Sequence, residues 1–107
     1  MAGITVADAL FLDIKTYLDI TWEDEAMNRK VRNFITQGIF FINDKLGEEG
    51  DYLKEGYPRT LLFDYCRYAR DEALDVFENN YRSMILAMQN NRKVKTYAEK
   101  NAVSSGK

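Results

Sequence analysis

Proline and glycine, the residues that most often interrupt helices, are concentrated in one short segment of this chain. Pro58 is the only proline, and three of the six glycines, Gly47, Gly50 and Gly56, precede it closely. The segments on either side are long and nearly free of both residues, a distribution that favours helices. Because 107 residues correspond to one domain, we expect a single all-α domain.

Apolar residues recur at steps of three and four along these segments, which is the spacing of one face of a helix. The pattern predicts a small bundle of about four helices, at approximately residues 6–18, 22–46, 58–70 and 73–90. Gly38 lies within the apolar face of the second helix, where a residue without a side chain allows another helix to approach closely. Pro58 takes a favoured first-turn position in the third helix.

Short polar signals mark the expected ends of the first two helices. Thr5 before Asp8 and Thr21 before Asp24 have the spacing of helix-start pairs, with the threonine as the expected cap. Gly47 follows the last apolar residue of the second helix, where a left-handed glycine commonly ends a helix.

The last two predicted helices are separated by Arg70–Glu72, a stretch without an apolar side chain. We therefore expect a bend or a break at this point, and one bent helix or two separate helices both fit the pattern. On the outer faces, Arg67 with Asp71 and Glu78 with Arg82 have the i,i+4 spacing of helical ion pairs.

The stretch Leu61–Ile85 contains five aromatic side chains and the single cysteine, Cys66. It suits either a buried cofactor or metal site or the packing face of a helical module. The helical spacing favours a packing face, with Tyr65, Phe77 and Tyr81 directed inward. The chain has no histidine, which removes the commonest general base and the commonest metal ligand. We therefore expect no enzyme, no cofactor and no metal site, and a Cys66 that acts as a small buried residue.

Charge is unevenly distributed along the chain. Residues 1–91 carry 16 acidic and 10 basic side chains, whereas residues 92–107 carry five basic side chains and one acidic one. We interpret residues 1–91 as the helical domain and residues 92–107 as a basic, flexible tail that docks on an acidic surface; a frayed, solvated terminus is the alternative. The acidic, glycine-rich residues 47–58 lack the spacing of a calcium loop and are interpreted as a solvated connection.

No apolar run approaches the roughly 20 residues that cross a bilayer, so we expect no membrane partner. The first residues lack the basic and apolar regions of a signal peptide. We therefore expect the chain to remain in the cytoplasm of the cell that makes it.

The order of elements resembles the small head–tail connector proteins of tailed bacteriophages, also called head-completion or adaptor proteins. A short helix, "ITVADALFLDIKTYLDI", is followed by the acidic start and long helix of "TWEDEAMNRKVRNFITQGIFFINDKLG". An acidic glycine-rich connection then leads to "YPRTLLFDYCRYARDEALDVFENNYRSMIL", in which "LLFDYCRYA" and "ALDVFENNY" carry most of the resemblance. The resemblance covers about residues 4–90 and leaves the basic tail unmatched.

This resemblance implies an all-α module without an active site. Such proteins assemble as a ring, commonly of about twelve copies, under the portal protein of the filled capsid. The ring extends the DNA channel, lets DNA pass without specific binding and offers a docking surface to stopper and tail proteins. The implied location is the head–tail interface of the virion, with the host cytoplasm as the location before assembly.

Seven side chains are candidates for contacts with other proteins, because Trp, Tyr and Met are enriched in interface cores and the tail is basic. They are Trp22, Tyr68, Met84, Met88, Arg92, Lys93 and Lys95. In the alternative interpretation, Met84 and Met88 belong to the core and Trp22 only packs against a helix start. The alternative function is a small cytosolic helical regulator or adaptor that binds a protein partner or DNA as a dimer.

Overall fold

The computed structural model of the protein describes residues 7–105, and the side-chain surroundings of residues 7–96 among them. Over this range the chain forms five helices and no strand. The helices are α1 Asp8–Tyr17, α2 Glu25–Leu46, α3 Tyr57–Arg70, α4 Leu74–Asn80 and α5 Arg82–Ser105. The prediction of an all-α domain is confirmed. None of the helices in this part of the chain combines the length and the apolar character that a membrane span requires.

The ends of α2 show which capping signals operate. The helix begins at Glu25 rather than near residue 22, because the Asp24 side chain, and not Thr21, accepts hydrogen bonds from N–H groups in the first turn. Gly47 ends the helix as predicted, with a left-handed φ of 84° and its N–H donated to the carbonyl of Asn43. The cap predicted for the first helix, Thr5, lies outside the described residues.

The bundle is organised around α2 and α3, which pack extensively against each other. Helix α1 covers both of them, and α4 and α5 close the remaining side. Most of the apolar stripes predicted from the sequence meet in one core. Its most deeply buried side chains are Ile14, Val31, Ile35, Ile42, Leu61, Leu62, Cys66, Phe77 and Met88.

The two ends of the bundle differ in what they bring together. At one end, the guanidinium of Arg70, at the end of α3, donates to the carbonyl of Leu18, directly after α1. The start of α2 follows a few residues later in the chain, so three helix termini meet at this end. At the other end, the C-terminus of α2 lies next to α5, where the side-chain amide of Gln89 donates to the carbonyl of Lys45 at 2.9 Å.

Gly38 is the point of closest approach between α2 and α3, as its position in the apolar stripe predicted. A Cβ atom at this position would lie 2.7 Å from Cδ1 of Leu62 and 2.9 Å from Cδ1 of Tyr65. Both distances are shorter than normal van der Waals contact. The missing side chain therefore allows the two helices to pack tightly.

We expect Gly38→Ala to lower the free energy of unfolding by about 1 kcal/mol, measured by urea denaturation. Overpacking a core typically costs about 1–3 kcal/mol, while the better helix propensity of alanine returns about 1 kcal/mol. The matched control is Gln37→Ala on the exposed face of the same helix, which should change stability by less than about 0.5 kcal/mol. A stabilised Gly38→Ala protein would show that Leu62 and Tyr65 move aside at no cost.

The break predicted at Arg70–Glu72 is present, and the two-helix alternative is the correct one. Helix α3 ends at Arg70, and Glu72 has a left-handed φ of 56°. The N–H of Ala73 then donates to the carbonyl of Tyr68 at 2.8 Å, which turns the chain into α4. Arg70, Asp71 and Glu72 are all exposed. The chain can therefore turn here without removing an apolar side chain from the core.

A second break, at Tyr81, was not predicted, and the helix expected over residues 73–90 is divided into α4 and α5 there. The hydrogen bonds on both sides keep helical spacing: the N–H of Tyr81 donates to the carbonyl of Phe77, and the N–H of Ile85 donates to the carbonyl of Tyr81, both at 2.9 Å. The break is thus confined to Tyr81, whose φ of −108° and ψ of 14° depart from helical values. The ring of Tyr81 stacks on that of Phe77, with centroids 4.7 Å apart, and this contact holds α4 against the start of α5.

Neither of the two predicted ion pairs is among the salt bridges found in the described part of the chain. Arg67 with Asp71 and Glu78 with Arg82 each span a helix end, where the i,i+4 geometry is lost. Glu78 instead pairs with Lys45 of α2, with the carboxylate oxygen 2.9 Å from Nζ. The charge on α4 therefore ties it to a neighbouring helix.

Helix α5 crosses the boundary predicted at residue 91 and continues to Ser105. The division into a domain of residues 1–91 and a basic, flexible tail of residues 92–107 stays a prediction, and the backbone of the tail is helical as far as Ser105. This helix agrees with the absence of glycine and proline from residue 59 to residue 105.

Candidate protein-interaction surface

The titratable groups in the interior of the described bundle are held in their protonated forms or lie apart from one another. Among the described residues, no group of three or more histidine, cysteine, aspartate or glutamate side chains is placed to hold a metal ion. Cys66 is fully buried in the core, and burial raises the pKa of its thiol to about 12. Since the thiolate is the nucleophilic form, Cys66 in the folded protein is an unreactive packing residue.

The raised pKa of Cys66 makes stability fall at alkaline pH. The folded protein keeps the thiol protonated up to about pH 12, whereas an unfolded cysteine loses its proton near pH 8.5. Above the lower of these values the unfolded state binds fewer protons, so the free energy of unfolding decreases as pH rises, by up to about 1.4 kcal/mol per pH unit for one group. Burial also raises the pKa of Tyr81, to about 12. This shift likewise lowers the free energy of unfolding as pH rises.

We therefore expect urea denaturation between pH 8.5 and 11 to show a steady loss of stability. In Cys66→Ala the slope with pH should be shallower, because one titrating group is removed. Equal slopes in the two proteins would mean that Cys66 does not titrate differently in the folded and unfolded states.

Three of the predicted contact residues take part in the bundle itself. Met88 is 2% exposed, so the contact predicted for it is wrong: its side chain is in the core and is not accessible to a partner. Tyr68 and Met84 are half-buried against the core. The Tyr68 hydroxyl accepts a hydrogen bond from the side-chain amide of Asn80 at 3.2 Å, so only part of this side chain faces solvent.

Trp22, the only tryptophan, is 51% exposed in the connection between α1 and α2. Asp19, Glu23 and Asp24 flank it in the same connection. Lys15 reaches this region from α1, with Nζ 3.4 Å from Oε1 of Glu23. Trp22 is thus an accessible aromatic side chain in an acidic setting, at the end of the bundle where α2 begins.

The predicted basic residues lie at the opposite end, on α5. Arg92 is half-buried and its Nε lies 3.0 Å from Oε1 of Glu48. Lys93 and Lys95 are exposed. We call residues 93–95, Lys-Val-Lys, the basic segment. The structure does not bring these residues together with Trp22, since the whole length of α2, about 33 Å for 22 residues, separates the two ends.

The connection from Gly47 to Gly56, which we call the acidic connection, is exposed at most of its residues, in agreement with the predicted solvated connection, and is anchored to the bundle at Tyr52. The side-chain carbonyl of Asn43 accepts hydrogen bonds from the Gly50 N–H at 2.9 Å and from the Tyr52 hydroxyl at 2.6 Å. Tyr52 is buried in the core cluster, and burial raises its pKa. Arg59 of α3 donates to the carbonyl of Tyr52 at 3.0 Å. These contacts anchor the acidic connection to α2 and α3.

An open groove of about 750 Å³ lies between the acidic connection and α5. One wall carries the carboxylates of Glu49 and Asp51, and the other carries Val94 and Lys95. The pair between Arg92 and Glu48 crosses one end of the groove. Opposite charges therefore face each other across this groove.

Several exposed apolar side chains were missed in the sequence. Phe40 is 68% exposed on α2, Val94 is 67% exposed on α5, and Leu53 is 59% exposed in the acidic connection. A signal for Phe40 was present: it lies three residues after Gln37 and four before Asp44, on the polar face of the helix. Val94 and Leu53 each have a lysine beside them in the sequence, which marks them as residues of the surface.

The chain was compared with models of protein families, with curated proteins and with solved structures, and none of these comparisons found a match.

Proposed function

We propose that the protein is a structural head–tail connector of a tailed bacteriophage. It assembles as a ring under the portal protein, extends the DNA channel and offers a docking surface to stopper or tail proteins. The resemblance of residues 4–90 to this class motivates the proposal. In this function the chain works through its surfaces and needs no reactive side chain.

The observation that carries the proposal is the exposure of α5 over residues 93–96. All four residues from Lys93 to Thr96 are exposed. Four successive helical residues point in directions that cover a full turn, so no side of the helix is packed against its own bundle. A helix that extends in this way is suited to binding a neighbouring subunit or the portal.

The overall shape agrees with this use. The radius of gyration is 16.0 Å and the extents are 57 × 28 × 27 Å, whereas a compact domain of this length has a radius of gyration of about 13 Å. The long, narrow body suits side-by-side packing in a ring, with many copies around a channel.

The charge of the body suits a channel for DNA. Residues 1–91 have six more acidic than basic side chains. A surface with this excess repels phosphates, and binding to DNA depends on the opposite charge. DNA can therefore slide through a ring of such subunits without being held.

The experiment that tests the proposal is native mass spectrometry over a concentration series, with negative-stain images of the same samples. Closed rings, of about twelve copies by resemblance, would support the connector function. A stable dimer at every concentration would contradict it and would favour a small regulator. If only monomers form, the decisive sample is a set of portal-bearing capsids that lack their connector. Co-sedimentation of the protein with them would support the proposal, and its absence would overturn it.

A further inference from the structure

We infer that the outer face of α5 binds an amphipathic helix of another protein, one that carries acidic side chains beside its apolar stripe. This inference rests on the proposed function, in which α5 contacts another protein of the particle, and it specifies the chemistry of that partner. The occupant is a helix of a different protein and not a second copy of this chain.

The face of α5 that points away from the bundle is uncharged and partly apolar. At 3.6 residues per turn, four side chains fall within an arc of about 80°, and we call them the outer stripe: Ser83, Leu86, Asn90 and Val94. All four are exposed, Leu86 to 52% and Val94 to 67%. The arc lies opposite Ile85 and Met88, which are buried in the core. The described bundle therefore leaves the two large apolar side chains of the outer stripe uncovered.

The spacing along this face is that of a contact between two helices. Ser83, Ala87, Asn90 and Val94 follow one another at steps of four, three and four, which is the spacing of the seam positions in a heptad repeat. The small side chains of Ser83 and Ala87 allow a second helix to come close, since the distance between packed helices depends on the side chains at the contact. A single asparagine in such a seam, as at Asn90, fixes the register of the partner.

Charge determines which kind of helix fits. Residues 82–96 contain four basic side chains and no acidic one. Arg82 and Lys93 lie along the edge of the outer stripe, within about 40° of Leu86. Neither takes part in a salt bridge found in the described part of the chain. A helix with glutamate or aspartate along its facing edge pairs with both, whereas a second α5 places further cations there, and such juxtaposition of like charges is costly.

A synthetic helical peptide tests this surface without the rest of the particle. The probe is three heptads long, with leucine at the seam positions, one asparagine to face Asn90 and glutamate along both edges, and it carries a fluorescein label. The matched peptide has lysine in place of every glutamate. Fluorescence anisotropy with the full chain measures both affinities, and we expect the acidic peptide to bind at least tenfold more tightly.

Two pairs of substitutions assign the binding to the outer stripe and its edge. Leu86→Gln with Val94→Asn removes the apolar contacts without a change in charge and should weaken binding of the acidic peptide at least tenfold. Arg82→Glu with Lys93→Glu should weaken it by as much and should make the lysine peptide the tighter ligand. All four side chains are exposed, and circular dichroism verifies that the variants are folded.

The control for net charge is Arg29→Glu with Lys30→Glu on the exposed start of α2, which makes the same change in total charge on another helix. It should bind the acidic peptide as the unmodified chain does. Equal binding of the two peptides, or binding that neither pair of substitutions weakens, would overturn the inference. Self-association of the unmodified chain that Leu86→Gln with Val94→Asn abolishes would also overturn it, because a second copy would then occupy the outer stripe.

The outcomes separate this inference from the connector function. Rings or attachment to portal-bearing capsids without specific binding of the acidic peptide would overturn the inference alone. Specific binding by a chain that assembles neither alone nor on such capsids would support the surface and overturn the connector function.

Discussion

Phe77→Ala is expected to remove about 3–5 kcal/mol from the free energy of unfolding, the usual cost of deleting a large buried aromatic side chain. Phe77 is 1% exposed. Its ring centroid lies 5.3 Å from those of Tyr65 and Tyr68, 4.7 Å from that of Tyr81 and 6.0 Å from that of Phe41. The loss is large because the total stability of a domain of this size is only about 5–15 kcal/mol. Urea denaturation followed by circular dichroism measures it.

The matched control for Phe77→Ala is Val76→Ala on the same short helix. Val76 is 42% exposed, so its truncation should cost less than about 1 kcal/mol. Similar losses for the two variants would mean that α4 is not packed through Phe77 as described. If Phe77→Ala is too unstable to isolate, Phe77→Leu keeps most of the buried volume and should give an intermediate value.

Ending the chain after Asn91 is expected to abolish assembly while the bundle stays folded. The truncation removes Arg92 and the basic segment, but the buried side chains that α5 contributes to the core, Ile85 and Met88, remain. The pair between Arg92 and Glu48 is partly exposed, and such pairs contribute at most about 1 kcal/mol. We expect the thermal unfolding temperature to change by only a few degrees, and rings and attachment to portal-bearing capsids to be lost.

A chain ended after Thr96 is the control for this truncation. It retains Arg92 and the basic segment and should assemble, although it lacks residues 97–107. If the chain ended after Asn91 still completes rings on the portal, α5 beyond that residue has no part in assembly. A loss of folding in the shorter chain would instead show that the last turns of α5 stabilise the bundle.

The candidate site could be predicted only in part. That Lys93 and Lys95 lie on the surface follows from their charge, because an ammonium group is costly to bury. Residue type alone could not tell whether Met88 is buried or exposed, because methionine occurs both in cores and in interfaces. The anchoring of the acidic connection could not be predicted, because Asn43 and Tyr52 act through contacts that only the folded chain makes.

The amino-acid sequence by itself determined that this protein is helical, where most of its apolar stripes lie and that Gly38 and Gly47 have structural roles. These properties depend on helix propensity, spacing and backbone freedom, which are local. The tertiary structure decided the rest. Asp24 rather than Thr21 caps α2, and Tyr81 divides the last predicted helix. Local preferences differ little between these residues as caps and between one helix and two, so capping and packing in the folded chain decided both.

Tertiary structure also decided which surfaces are accessible. Residues far apart in the chain, such as Glu48 and Arg92, meet only when α5 packs beside the end of α2. The sequence contained the charges of both, but a charge becomes part of a binding surface only when folding sets its neighbours and its exposure. This is why the class of fold follows from the sequence, while the groove and the charges that line it required the folded structure.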